Sequence, residues 1–267
     1  MFNTSFIRQV GPLRWAVRYG LYQFRKRVLQ NDIRMALPSG GSVFLPRNHS
    51  AAEIVVTNAN IDWGAEATFA KHADRSRDFL DIGANIGYYS AYMAPLVRRA
   101  YAFEPDPRNH DALHANAKLA GNVDVLPVAV SSTNGTAELS LSSSSAMNTL
   151  NAVEGAAKIP VRVTSIDSFV SEHPDIDVGL VKIDIEGHDI EALRGMEKTV
   201  ARFQPLILAE CGDAALPEIA RRWNYRLCAH VRDRETLAVT LKEMSAKSLE
   251  TDWYKMVFLV PSRIRMP

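Results

Sequence analysis

Near the start of the chain, Leu13, Val17, Leu21, Phe24 and Val28 recur at helical spacing. Arg14, Arg18 and Arg25 lie elsewhere on the wheel, and Trp15, Tyr19 and Tyr22 add aromatic rings. Residues 33–46 read as a small hairpin: two short apolar runs, 33–37 and 42–45, around the turn Pro38-Ser-Gly-Gly41. A helix-like stretch over about 51–73 carries Trp63-Gly64. The pattern then alternates. Strands are predicted near 78–82, 99–103, 123–130, 178–184 and 206–210, and helices near 88–96, 107–120, 190–202 and 215–223. This βαβ repetition with short turns predicts a mostly parallel sheet covered on both faces. An insertion at about 132–165 separates the third and fourth core strands and holds the serine run Ser142 to Ser145, read as a loop. Segments 225–231 and 255–260 lack a crossover helix between them and predict an antiparallel closing pair. The expected fold class is α/β and Rossmann-like, with a seven-stranded sheet ending in that pair.

A chain of 267 residues is long enough for one large α/β domain, expected over 78–267, with a substrate-side extension over 1–77. The formal net charge of +1 offers no global electrostatic case for a nucleic-acid partner. The charge is uneven, however. No acid occurs in residues 1–31, whereas Arg8, Arg14, Arg18, Arg25, Lys26 and Arg27 are all basic. Two readings of this helix stand side by side. It packs on the main domain or on a second subunit of a homodimer, or it lies, through residues 8–28, on an anionic membrane surface. The only cysteines, Cys211 and Cys228, sit in apolar runs and suit reduced, buried thiols. No run reaches the roughly 18–20 apolar residues of a membrane span. Arginines also interrupt any stretch resembling a signal peptide. A cytoplasmic location is expected, with a membrane-peripheral one as the alternative.

Chemistry gathers at the predicted strand ends, because open α/β sheets bind ligands beyond the carboxyl ends of their strands. Residues 78–87 read Asp-Phe-Leu-Asp-Ile-Gly-Ala-Asn-Ile-Gly, and residues 99–105, about twenty further on, read Arg-Ala-Tyr-Ala-Phe-Glu-Pro. An apolar strand, a Gly-rich turn, a helix and a second strand closing on an acid make a nucleotide-cofactor pocket. The turn has the form Asp-x-Gly-x-x-x-Gly and lacks the three glycines that a pyrophosphate requires. A sulfonium cofactor has no phosphate and tolerates a carboxylate near its cationic end, so S-adenosylmethionine is favoured over a dinucleotide. Backbone of the turn Asp81, Gly83, Ala84, Asn85, Gly87 and Tyr88 would hold the methionine part, with Asp81 near its ammonium directly or through water. The bland alternative is an ordinary strand-to-helix turn with Asn85 as N-cap. Glu104, with Pro105 after it, is placed to hold the ribose hydroxyls, and Val130 to cover the adenine face.

The fourth strand runs into Asp184-Ile-Glu-Gly-His188, three polar groups beside the expected methyl group. Glu210 brings another carboxylate from the neighbouring strand end. Asp184, Glu186 and Glu210 are candidates to orient or deprotonate a substrate hydroxyl. Alternatively, Asp184 and Glu210 ligate a divalent cation, which is not expected because only oxygen ligands are on offer. His188 is either a general base or a solvent-touching histidine at a helix start. Lys182 reads as structural, paired with an acid across the sheet. The remaining histidines show no metal-ligand spacing.

The blocks Phe79 to Ser90, Ala102-Phe-Glu-Pro105, Asn116 to Asn122, Val128-Ala-Val-Ser131, Lys182-Ile-Asp-Ile-Glu-Gly187, Leu193-Arg-Gly195 and Pro205 to Glu210 resemble the FkbM family of S-adenosylmethionine-dependent methyltransferases. They cover residues 78–211 in order. Where the family often carries a second Glu after Gly187-x, this chain has Asp189, which keeps the charge and shortens the reach. The resemblance implies a class I methyltransferase fold and O-methylation of a hydroxyl on a sugar, glycan or glycolipid, or natural-product acceptor. The serine run and Asn148 are expected to face the acceptor. Nucleic-acid amino-methyltransferases often carry Asn/Asp-Pro-Pro-Tyr/Phe here, and this chain does not. Two rivals remain. A nicotinamide-dependent sugar oxidoreductase is opposed by the missing third glycine. A non-catalytic membrane-associated binding protein is opposed by the intact acids.

Overall fold

The computed structural model describes residues 7, 10–57, 61–142, 149–151, 153 and 155–266. The chain begins with helix α1 (Pro12–Phe24), which continues through a wider turn over Arg25–Leu29. The hairpin β1 (Ile33–Ala36) and β2 (Ser42–Leu45) follows, then α2 (Ser50–Thr57) and α3 (Ala65–Ala70). The first βα units are β3 (Asp78–Ile82), α4 (Tyr88–Met93), β4 (Ala100–Phe103), α5 (Pro107–Ala120) and β5 (Val123–Leu126). Strands β6 (Ala129–Val130), β7 (Gly135–Leu141) and β8 (Ala157–Thr164) make a separate three-stranded sheet. Next come α6 (Ile166–Glu172), β9 (Val178–Ile183), α7 (Asp189–Arg194), α8 (Glu197–Phe203), β10 (Leu206–Ala209) and α9 (Leu216–Arg222). The chain ends with β11 (Tyr225–Arg232), β12 (Val239–Glu243), α10 (Ala246–Thr251) and β13 (Val257–Pro261).

The main sheet has the order β12-β11-β13-β10-β9-β3-β4-β5. The five strands from β5 to β10 are mutually parallel, and β13 enters antiparallel between β10 and β11. The alternation predicted from the sequence is therefore the observed α/β fold, with its antiparallel closing pair. The sheet has eight strands rather than seven. The extra strand, β12, is a polar, mostly exposed edge with no apolar run to announce it.

Every residue of β3, β9, β10 and β13 is buried, which is why these segments read as unbroken apolar runs. Alternate residues of β3 feed two cores. Leu80 and Ile82 pack with Phe103, Val181 and Ile207 on one face. Phe79 packs with Tyr22, Val43, Leu45, Phe69 and Phe258 on the other. The N-terminal segment thus covers one face of the sheet. Asn116 pins it there: its amide donates to the carbonyls of Phe44 (2.9 Å) and Ile86 (2.7 Å) and accepts from the Phe44 N–H (2.6 Å).

Three predicted elements break where the backbone demands it. The stretch 51–73 becomes two helices, because Trp63 (φ 60°) and Gly64 (φ 99°) turn left-handed between them. The strand predicted over 123–130 stops at Leu126, since Pro127 has no N–H for the ladder, and Ala129–Val130 join the smaller sheet. The helix predicted over 190–202 divides at Gly195, where a Cβ would stand 2.1 Å from the Ser131 carbonyl oxygen. The serine run beyond Ser142 and Asn148 lie outside the described residues. No helix among the described residues is long and apolar enough to cross a membrane.

Because the Ser131 backbone cannot retreat cheaply, Gly195→Ala is expected to destabilise the fold by about 2–3 kcal/mol. Urea unfolding measures this. A midpoint equal to wild type would show that the contact yields.

Candidate active site

A cavity of about 320 Å³ opens over the carboxyl ends of β3, β4, β9 and β10, with α2 and residues 61–62 as its outer wall. It lies at the switch in strand order, where β3 is flanked by β4 on one side and β9 on the other. The turn after β3 bends through three left-handed residues, Gly83 (φ 75°), Asn85 (φ 52°) and Gly87 (φ 83°). At Gly83 the approach is extreme: a Cβ would meet the Asp184 carbonyl oxygen at 2.0 Å. Only glycine lets the ends of β3 and β9 close so tightly.

Glu104, 6% exposed, joins this turn to the one after β4. One carboxylate oxygen accepts the Asn85 N–H at 2.7 Å and the other the Asp106 N–H at 2.8 Å. Burial pushes its carboxyl up to about 7. The Asn109 side chain is a further hydrogen-bond partner of this carboxylate, and its remaining lone-pair capacity suits a diol in the cavity.

Lys182 projects from the buried strand β9 and ties the floor together. Its ammonium donates to the Gly83 carbonyl at 2.8 Å and lies 3.4 Å from Asp184 Oδ2 and 3.7 Å from Asp81 Oδ1. Burial opposes its charge, but the fields of Asp184 and Asp81 outweigh burial and raise its pKa. Asp81 is fully buried and accepts the Ser90 hydroxyl at 2.6 Å; burial raises its pKa.

Four more carboxyls, those of Asp184, Glu210, Glu186 and Asp62, face the cavity. Glu210 is exposed along the open side, yet the surrounding protein, the charge of Asp184 and a hydrogen bond to Asp184 push its carboxyl up to about 9. Glu186 sits at a left-handed φ of 51°, and its pKa is raised by burial and by Asp184. Opposite them, Asp62 accepts the Tyr89 hydroxyl at 2.6 Å and lies 3.8 Å from the Lys255 ammonium, with its pKa raised chiefly by burial. Behind it, Glu66 accepts the Asp62 N–H at 3.1 Å and is pushed up to about 7 by burial and by Asp62. A cavity so rich in carboxyls is suited to a ligand carrying positive charge.

A family model, the methyltransferase FkbM domain, matches residues 81–240. The chain belongs to the FkbM methyltransferase family. The hexuronic acid methyltransferase AglP of Haloferax volcanii is 33% identical to it over 118 residues, 43% of this chain and 48% of that protein. The match thus spans about half the length of that relative. The FkbM methyltransferase structure from Methylobacillus flagellatus KT superimposes with a TM-score of 0.46 at 15% identity, over 78% of this chain and 53% of that one. A precorrin-6y C5,15-methyltransferase from Geobacter metallireducens GS-15 gives 0.41 at 14% identity, over 76% and 87%.

In this FkbM-family chain, Gly83, Ala84, Asn85, Tyr88, Glu104, Pro105 and Val130 line the cavity together with Asp184, Glu186 and Glu210. Three sequence candidates stand apart from its wall. Asp81 lies beneath the floor, behind Lys182, and Gly87 packs against Leu113. The left-handed turn at Gly187 carries His188 away, so that its Nε2 meets Ser131 Oγ at 2.9 Å in a separate recess, with burial lowering its pKa. Asp189 ties its own loop, accepting the Ile185 and Gly187 N–H groups, each at 3.2 Å. Among the described residues, no group of three or more His, Cys, Asp or Glu is arranged to hold a metal ion.

Asp62, Lys255 and Tyr89 were absent from the sequence candidates, as was any role in the cavity wall for Lys182. Lys182 did carry a signal, since an ammonium in a wholly apolar strand demands buried counter-charges. Removing it should leave Asp81 buried beside no cation. Lys182→Met is expected to lose roughly 3–5 kcal/mol at neutral pH, with much of it restored in Asp81→Asn/Lys182→Met. Urea unfolding at pH 7 distinguishes this from a single variant as stable as wild type.

Proposed function

We propose that this FkbM-family protein is an S-adenosylmethionine-dependent O-methyltransferase acting on a hydroxyl of a sugar, glycan, glycolipid or related natural product. The observation that carries the reading is the buried Glu104, with spare lone pairs, set beside the Gly83–Asn85 turn and a cluster of cavity carboxyls. The residues fit the cofactor's parts. Glu104 would hold the ribose diol, the turn backbone at Gly83, Ala84 and Asn85 the methionine part, and Val128 and Val130 the adenine face. Asp81 would act from below the floor, through Lys182, rather than by touching the ammonium. Pro105 and Tyr88 complete the wall. Bound S-adenosylmethionine supplies an electrophilic methyl group on a positively charged sulfur.

The chain's own residues do the rest. Asp184 and Glu210 both stand on the cavity wall, and one of these carboxylates would accept the acceptor hydroxyl's hydrogen bond and take its proton as the oxygen bonds to the methyl carbon and the carbon–sulfur bond breaks. Glu186 orients the acceptor from the same rim. Lys182 keeps Asp184 aimed at the cavity. Ala51, Val55 and Ile61 from the N-terminal segment wall off water on the acceptor side. The Haloferax volcanii relative is named for a hexuronic acid, and carboxylate-lined walls suit a polyhydroxylated ring, so a sugar is the favoured acceptor. A homodimer and any divalent-cation requirement form no part of this mechanism. Cys211 and Cys228 are both buried thiols, in keeping with a reducing compartment such as the cytoplasm.

Calorimetry with S-adenosylhomocysteine tests the donor half. Ribose hydroxyls donate to the ionised form of Glu104, whose pKa is about 7. Affinity should therefore rise with pH through neutrality, by up to about tenfold per unit below the pKa. Glu104→Gln should weaken binding by roughly 10- to 100-fold and flatten that dependence. Unchanged affinity in this variant would remove the ribose assignment.

The acceptor half is tested by mass spectrometry of glycans from cells expressing wild type, Asp184→Asn or Glu186→Gln. Only wild type should add a one-methyl increment, while all three proteins keep their affinity for S-adenosylhomocysteine. Full methylation by both variants would exclude those acids.

A further inference from the structure

The face of α1 that points away from the domain has no role in the site, yet it is strongly amphipathic. Leu13, Val17, Leu21, Phe24, Val28 and Leu29 form one outward stripe, each between 50% and 80% exposed. On the opposite face Tyr22 is buried, and its hydroxyl donates to the Arg47 carbonyl at 3.0 Å, so the helix is seated with the stripe outward. Arg14, Arg25 and Arg27 are exposed around the stripe. None of them belongs to an ion pair of the described residues.

We infer that α1, with the turn Arg25–Leu29 that extends it, docks this protein on an anionic lipid surface. The helix would lie in the interface plane, its apolar stripe among the acyl chains and its arginines at the headgroups. The charge pattern selects this occupant. With no acid in residues 1–31, a second copy using the same face would set arginines against arginines. A bilayer bearing anionic headgroups instead pairs them while burying the six apolar side chains. A contiguous apolar stripe of this kind, left open to water, marks an interaction surface. No described helix can cross a membrane, so the contact is peripheral. Its place also matters: α1 packs against α2, whose Ala51 and Val55 wall the cavity, so the lipid-facing surface is one helix away from that opening.

The test is sedimentation of the full chain with phosphatidylcholine vesicles, with and without phosphatidylglycerol. Binding to the anionic vesicles should be stronger by at least about tenfold and should weaken as salt is raised. Leu21→Glu/Phe24→Glu should abolish it, and Arg14→Gln/Arg25→Gln should remove most of the preference for anionic lipid. Neither pair touches the cavity, so S-adenosylhomocysteine affinity and the unfolding midpoint serve as controls for folding. Failure of the wild-type chain to sediment with anionic vesicles would overturn the proposal. So would equal binding by Leu21→Glu/Phe24→Glu. A concentration-dependent dimer in ultracentrifugation that the same variant dissolves would also overturn it, assigning the stripe to a second copy.

Discussion

One ammonium group organises the carboxyl edge of this sheet. Asp81 and Lys182 are register partners on the neighbouring parallel strands β3 and β9. The lysine side chain reaches past that pairing to the Gly83 carbonyl and to Asp184. It thereby binds the two loops that form the cavity floor, at the point where Gly83 allows their backbones to touch. A lone charge on a buried strand is ruinous; flanked by two carboxylates and a carbonyl, it becomes a clasp. The contour of the cavity follows from that clasp.

The clasp also explains how so many acids are tolerated in one place. Asp62, Glu186 and Glu210 all have raised pKa values, driven first by burial and then by one another's charge or that of Asp184. Lys182 and Lys255 offset part of this repulsion, from below and from across the cavity. The remainder is unfavourable electrostatic energy that an incoming cation relieves. A sulfonium donor has the right sign. A dinucleotide, whose pyrophosphate is anionic, has the wrong one, and the turn after β3 offers it no third glycine.

Much of the fold could be read in the sequence because its signals are local. The central strands are buried on both faces and therefore appear as unbroken apolar runs, and Glu104 stands at a fixed distance after a Gly-rich turn. The departures arise where tertiary contacts decide. Trp63 takes a left-handed conformation that no propensity foretells, Gly195 is squeezed against Ser131, and β12 is a polar edge strand. The same logic holds in the site. Asp184, Glu186 and Glu210 end adjacent strands or begin the turns after them, so strand order alone gathers them. Asp62 and Lys255 meet across the cavity from distant parts of the chain, which no short motif encodes. Of the two readings open for His188, general base or histidine at a helix start, the position matches the second: it caps the helix Asp189–Arg194, and the left-handed Gly187 turns it out of the cavity.

The central claim is that the hollow over β3, β4 and β9 receives a sulfonium nucleoside. A crystal structure of the protein with S-adenosylhomocysteine tests it most directly. Both ribose hydroxyls should lie within hydrogen-bonding distance of the Glu104 carboxylate, with the sulfur turned toward Asp184 and Glu210. A nucleoside bound elsewhere, or bound in the hollow with Glu104 unengaged, would contradict the account.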